Sequence, residues 1–429
     1  MKNNRYIDKI FIVVMLLFFI CLTGLLFHSI KKALPDEINI IANGEQQFDF
    51  GLPVNGFIKS AVEVSEIGES NIPSNQIKID MHKPFTLKSG NGGSFVMACK
   101  LFGLINLKNV KIDVVDKEYV IPCGMPIGIY IQTDGVLVIG TSVVNAMDGM
   151  NYEPSYKLVK SGDYIVGVNG TKINNKNELI SLINQDGANS IVLNIRRSGE
   201  LIDVKIEPVQ TTPDEYKLGV WVRDNTQGIG TLTFIDKDAE FGALGHGIND
   251  VDTSTLMELK SGSLYHTNIV SIIKGEKGVP GELTGTIDYD KKNILGEINR
   301  NTTEGIFGIS EKILSQYDKD RSMMEVGLKQ DVKVGPAHIR CNVEGEIKDY
   351  DVEIIEVNTG ENNVNKGIVL KVTDERLLNV TGGIVQGMSG SPILQNNKII
   401  GAVTHVFIQD STKGFGIFIE NMLQSKNVE

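Results

Sequence analysis

The chain has 429 residues, a length that suits about three domains, and its 41% hydrophobic content places it among folded globular chains. A net charge of −11 removes the basic face that nucleic-acid binding requires. The 45 glycines imply many tight turns and a strand-rich chain, and disorder over most of the length is excluded.

Residues 10–27 form an unbroken run of 18 apolar or small residues after Lys2, Arg5 and Lys9. A signal-peptide core spans about 7–15 residues, whereas a membrane-crossing helix needs at least about 17. No small-x-small cleavage site follows the run, so residues 1–35 are expected to be an N-terminal cytoplasmic tip and an uncleaved anchor, with a cleaved signal as the alternative. The positive cluster on its N-terminal side puts the rest of the chain outside the cytoplasm. Residues 36–117 hold short alternating runs such as INIIA, IKIDM and VKIDVV between Gly, Pro and Asn, the pattern of a small β domain.

Residues 118–209 begin with two β runs, PCGMPIGIYIQ and GVLVIG. The string SGDYIVGVNG follows, with Asn169-Gly170 as a hairpin signal, then a helix over 176–185 and a strand over 191–197. This order resembles a PDZ domain of the bacterial, circularly permuted type. The resemblance implies that Pro126, Ile127, Gly128 and Ile129 belong to the loop that takes a peptide C-terminus by strand addition.

Residues 210–429 are again strand-rich. The string Gly387-Met388-Ser389-Gly390-Ser391-Pro392 resembles the nucleophile loop of chymotrypsin-like serine proteases. Its glycines permit the turn around Ser389, and the amides of Gly387 and Ser389 are the expected oxyanion donors. A serine needs a base. Of the six histidines, His246 has the fitting context: it lies between glycines, directly after a strand and upstream of the serine. The strand IIGAVTHV begins ten residues after Ser389, where this class borders its primary pocket, so Gly383, Thr404 and His405 are expected to line it. For the acid, Asp250, Asp252, Asp288, Asp290 and Asp374 are candidates, and spacing alone favours Asp288 or Asp290 over Asp374.

The four cysteines and six histidines are scattered, with no CxxC, HExxH or phosphate-binding loop, so no metal or other cofactor is expected.

The combination of an anchor, a PDZ domain, LGVWVRD, GIGTLTF, FGALGHGI, KVTDERLL and TGGIVQGMSGSPI resembles the sporulation stage IV protein B (SpoIVB) peptidase family. That resemblance implies a mainly β fold: anchor helix, small β domain, PDZ domain and a chymotrypsin-like double β-barrel. Carried over by motif, it implies a His246, Asp374 and Ser389 triad. It further implies a signalling serine endopeptidase in the space between the forespore and mother-cell membranes. Such an enzyme cleaves itself and a membrane-bound regulator of an intramembrane metalloprotease, which triggers sigma-factor precursor processing. The alternatives are a PDZ-type peptide-binding scaffold with a catalytically silent β domain, and a general quality-control protease.

Overall fold

The computed structural model describes residues 2–60, 77–88, 90, 92–317 and 322–426, so part of the expected small β domain (61–76, 89 and 91) lies outside the described residues. The chain forms two compact units, Met1–Glu118 with Thr359–Asn363, and Tyr119–Asn358 with Val364–Glu429.

In the first unit, helix α1 (Lys2–Ala33) contains a 23-residue stretch, Phe11–Ala33, long and apolar enough to cross a membrane. From Phe11 to Leu26 its large apolar side chains are exposed, and only towards its end do Ile30 and Leu34 become buried. They pack on a five-stranded sheet of β1 (Glu37–Ile41), β2 (Val54–Ser60), β3 (Ile77–Asp80), β4 (Gly93–Leu101) and β5 (Ile105–Val115), in the order β1-β5-β4-β2-β3. The alternation read as strands is visible in β5, where Leu107, Val110 and Ile112 turn inward.

The second unit holds a PDZ-like body and two barrels. It opens on a 23-residue strand, β6 (Tyr119–Thr141). The PDZ-like body follows with β7 (Tyr164–Val168), α2 (Lys176–Asp186), β8 (Ile191–Arg197) and β9 (Glu200–Ile206). Asn175 caps α2 by accepting from the Glu178 amide, while Leu179 and Ile183, one turn apart, fix its buried face. Strand β10 (Val220–Ile235) then pairs antiparallel with β6 along nearly its whole length. Its first residues, Val220–Arg223, pair with 137–141 in the PDZ-like body, and the rest pairs with 121–132 in the first barrel. The two bodies therefore share two continuous strands, with a register shift between Arg223 and Asn225 at the passage.

The first barrel is completed by β11 (Glu240–Ala243), β12 (Leu259–Ile273), β14 (Ile294–Thr302) and β15 (Gly305–Ile309), with β13 (Glu282–Ile287) extending β12 as a hairpin. Its strands close in the ring β6-β10-β11-β15-β14-β12. The second barrel is built from β16 (Gly335–Asn342), β17 (Ile347–Val357), β18 (Ile368–Val372), β19 (Pro392–Gln395), β20 (Lys398–Phe407) and β21 (Asp410–Phe418). It closes in the ring β16-β17-β18-β21-β20-β19. Each ring has its own apolar core. Helices α3 (Glu375–Thr381) and α4 (Ile419–Lys426) belong to the same unit.

This architecture corrects one expectation. Pro126, Ile127, Gly128 and Ile129 lie in β6 between β10 on one side and β12 on the other. Both edges of the strand are occupied, which leaves no hydrogen-bonding row for an added peptide. Ile127 and Ile129 alternate with their neighbours into the core of the first barrel, 0% and 3% exposed.

Candidate active site

Ser389 sits on the loop between α3 and β19. At Gly390, φ is +97°, and a Cβ there would lie 2.0 Å from the Thr231 carbonyl oxygen and 2.6 Å from the Leu244 amide nitrogen, so only glycine fits. The loop is held from both flanks. The Thr231 amide donates to the Ser389 carbonyl (2.9 Å) and its hydroxyl donates to the Gly387 carbonyl (2.8 Å). On the other flank Leu283 donates to the Gln386 carbonyl, and Gln386 donates to that of Gly281, both at 2.8 Å. The amides of Gln386, Met388, Gly390 and Ser391 each have a backbone acceptor. Among the described residues those of Gly387 and Ser389 have none, which leaves the two expected oxyanion donors free.

His246 comes from the first barrel, on the turn after β11. Leu244 and Gly245 take φ values of 70° and 69°, a left-handed pair that a leucine adopts only at a cost and that turns the chain sharply. The ring Nδ1 lies 2.8 Å from the Gly247 carbonyl oxygen. A carbonyl only accepts, so Nδ1 carries the proton and Nε2 keeps its lone pair, the tautomer that a general base needs. Burial holds the His246 pKa below the usual histidine value. Its ring lies against that of His405, with centroids 5.0 Å apart. Loss of solvent around the His405 ring, then the nearby His246 and Lys366, push its pKa down to about 4.

His246, Ser389, Gly387 and His405 line one cavity of about 380 Å³. Within it the Ser389 hydroxyl donates to the Thr404 carbonyl at 2.7 Å rather than to His246. Unliganded sites commonly hold such groups apart until substrate arrives.

No candidate acid reaches the base. The Asp374 carboxylate caps α3 by accepting from the Arg376 amide (2.9 Å), receives the Arg376 guanidinium (2.6 Å) and accepts from the Asp351 amide (3.3 Å). The guanidinium bond holds its pKa down to about 2. The acid that the resemblance implied is thus tied to its own helix, because Arg376 lies two residues away and competes for it. Asp250 and Asp252 bind Arg223, Asp290 pairs with Lys292, and Asp288 accepts from the Asp290 amide. The Gly247 carbonyl takes the orienting place beside His246.

The expected pocket residues divide. His405 lines the cavity, but Gly383 and Thr404 do not. A Cβ on Gly383 would lie 2.1 Å from the Ser411 carbonyl oxygen, and Thr404 is buried with its hydroxyl donating to the Asn365 carbonyl (2.7 Å).

A second feature of interest lies in the PDZ-like body. One edge of β10 over Val220–Arg223 pairs with β6, and among the described residues no strand pairs with its other edge. Helix α2 runs beside this segment and is tied near both ends: the Lys176 amide donates to Asp224 (2.9 Å), and the Tyr216 amide donates to Asn184 (2.9 Å). Trp221 and Ile180 are exposed on this strand and helix. The sequence signal was Lys217-Leu218-Gly219-Val220, an apolar-Gly-apolar string at the far end of the PDZ-like region. It is easily missed because the similar Pro126-Ile127-Gly128-Ile129 comes first in the chain.

Residues 214–423 match one family, described as SpoIVB peptidase S55. No curated protein matches the chain. Among solved structures it is similar to the PDZ domain of an SdrC-like protein from Listeria monocytogenes, at 17% identity and TM-score 0.17, over 21% of this chain and 90% of that one. It is also similar to the Rv3671c protease in an inactive form, at 12% identity and TM-score 0.24, over 47% of this chain and 85% of that one. A third similarity is to the HtrA-type protease AlgW with a decapeptide, at 12% identity and TM-score 0.26, over 47% of this chain and 51% of that one. Over residues 214–423, just under half of its length, this chain is similar to the SpoIVB peptidase S55 family, and it is a serine endopeptidase.

Proposed function

We propose that Ser389 is the nucleophile and His246 the general base of this peptidase. Substrate entry turns the Ser389 hydroxyl from the Thr404 carbonyl to His246 Nε2. Ser389 then attacks the scissile carbonyl, and its proton passes to Nε2. The amides of Gly387 and Ser389 hold the oxyanion, and His246 returns the proton to the departing amine. The observation that carries this reading is one cavity lined by both side chains, with the base in the correct tautomer and two amides free.

Beyond the chemistry, the enzyme acts as a membrane-tethered signalling protease. Helix α1 tethers it, and the groove between β10 and α2 takes a peptide C-terminus by strand addition. The family match supports a role in endospore formation. On this reading the enzyme works outside the cytoplasm, in the space between the forespore and mother-cell membranes. There its substrates are itself and a membrane-bound regulator of an intramembrane protease. The test is labelling of the full chain with a fluorophosphonate probe. Covalent label on wild type and none on Ser389→Ala is expected; a folded wild type that takes no label refutes the reading.

A further inference from the structure

The two sides of Ser389 differ in the room they offer. His246 hands its proton to the departing amine, so the segment after the scissile bond leads towards the His246 loop. That is where the cavity lies. Its apolar walls are Ile129 of β6, Ile229 of β10, and Leu244 and Ile248 flanking His246. Among the described residues no Asp, Glu, Lys or Arg lines it. Ile229 is backed by the β12–β13 hairpin: a Cβ on Gly285 would lie 2.8 Å from its Cδ1. At about 380 Å³ the cavity falls within the ~300–1,000 Å³ that ligand sites span.

The other side of Ser389 is filled. Val403 still bonds the nucleophile loop, its carbonyl accepting from the Gly390 amide and its amide donating to the Ser391 carbonyl; beyond it, among the described residues, β20 pairs only with β21, so that stretch of its edge is open to an extended acyl segment. The space behind that edge is closed. Besides the contact at Gly383, a Cβ on Gly414 would meet Ile384 Cδ1 at 2.5 Å. Ile384 is itself buried.

From this asymmetry, and resting on the catalytic roles given above, we propose that selectivity resides mainly after the scissile bond. The cavity binds a bulky apolar side chain of the first residue of the leaving segment, with Ile229 and Ile248 as the determining walls. The acyl side admits only small residues. A charged side chain in the cavity would lose its water without gaining an ion partner there.

The test uses the full chain on a complex mixture of peptides, with every cut site sequenced and Ser389→Ala as the blank. Leu, Ile, Val, Met or Phe directly after the cut should be favoured over charged residues by at least ~10-fold, the scale of an apolar pocket. Small residues should dominate before the cut. Ile229→Lys should move the preference towards Asp and Glu. Gln227→Lys at the exposed mouth should do so more weakly, and it serves if the first variant misfolds. Ser389-dependent cutting that is indifferent to the following residue overturns this inference alone. Absence of Ser389-dependent cutting overturns both it and the catalytic assignment.

Discussion

The two barrels bring different liabilities to one site. The second barrel is self-contained: its six strands pair only among themselves around Ser389, apart from short contacts by Met324–Val326. The first barrel borrows two of its strands, β6 and β10, from elements that continue into the PDZ-like body. Its β10 also carries Thr231, which grips the nucleophile loop at Gly387 and Ser389. The proposed nucleophile thus stands on a closed scaffold, while Thr231, which holds its loop, stands on a strand that runs out into the PDZ-like body, and His246 stands on the turn after the neighbouring β11. Val220–Arg223 and Thr231 thus belong to one continuous strand, with no intermediary element between the PDZ-like body and the loop of Ser389.

The largest effect expected from breaking this arrangement is His246→Ala. Removing the base should cut kcat by at least on the order of 10⁴-fold, measured on a cleaved peptide with the fold verified by its unfolding transition. A loss below tenfold would mean that another group, with His405 nearest, takes the proton. Next comes the clamp. Thr231→Val keeps the volume and removes the hydroxyl bond to the Gly387 carbonyl, a contact worth about 1 kcal/mol. It should lower kcat by about 5- to 10-fold and leave KM nearly unchanged, since the loop shapes the transition-state oxyanion more than the bound substrate. A change confined to KM would separate the clamp from the oxyanion.

Asp374 sharpens the contrast, because it stands on the self-contained barrel and faces its own helix. Asp374→Asn loses the Arg376 ion pair but keeps an oxygen for the cap. It should reduce stability by about 1 kcal/mol and leave kcat within a few-fold, measured by denaturant unfolding and peptide cleavage. A kcat loss near 10⁴-fold at unchanged stability is what an acid orienting His246 would give, and it would overturn the role of the Gly247 carbonyl.

How far the sequence could be read follows the same division. The sharp turn at Ser389 was legible because glycines, serine and proline at fixed offsets admit few backbone courses. The turn at His246 was legible for the same reason, with glycines on both sides. The acid was not, because its identity depends on which carboxylate faces a ring across the fold. A short-range competitor such as Arg376 removes a carboxylate without changing its spacing. The misplacement of the PDZ loop has a related cause. Pro126-Ile127-Gly128-Ile129 and Leu218-Gly219-Val220 are locally alike, and only the pairing of β6 with both β10 and β12 decides which one keeps a free edge. The pocket residues failed for want of depth. Gly383 reads as room in a sequence, whereas here the Ser411 backbone occupies that room.

The smallest effect concerns protons at the junction of the barrels. Both histidines have folded pKa values below the ordinary 6.5, His405 at about 4. On acidification the unfolded chain therefore takes up protons first. Stability contributed by the neutral rings is present above pH 6.5 and is lost progressively as the pH falls below it; for His405 the loss levels off below about 4. Activity follows the base alone, so the acid limb of kcat/KM should have its midpoint below 6.5. The two readouts can be separated. In the Ser389→Ala background, which cannot digest itself, unfolding free energy should fall between pH 6.5 and 4. Adding His405→Ala should flatten that slope while the His246 share persists. Identical slopes with and without His405 would mean that its ring protonates equally in the folded and unfolded chain. The contact between the two rings would then carry no electrostatic consequence.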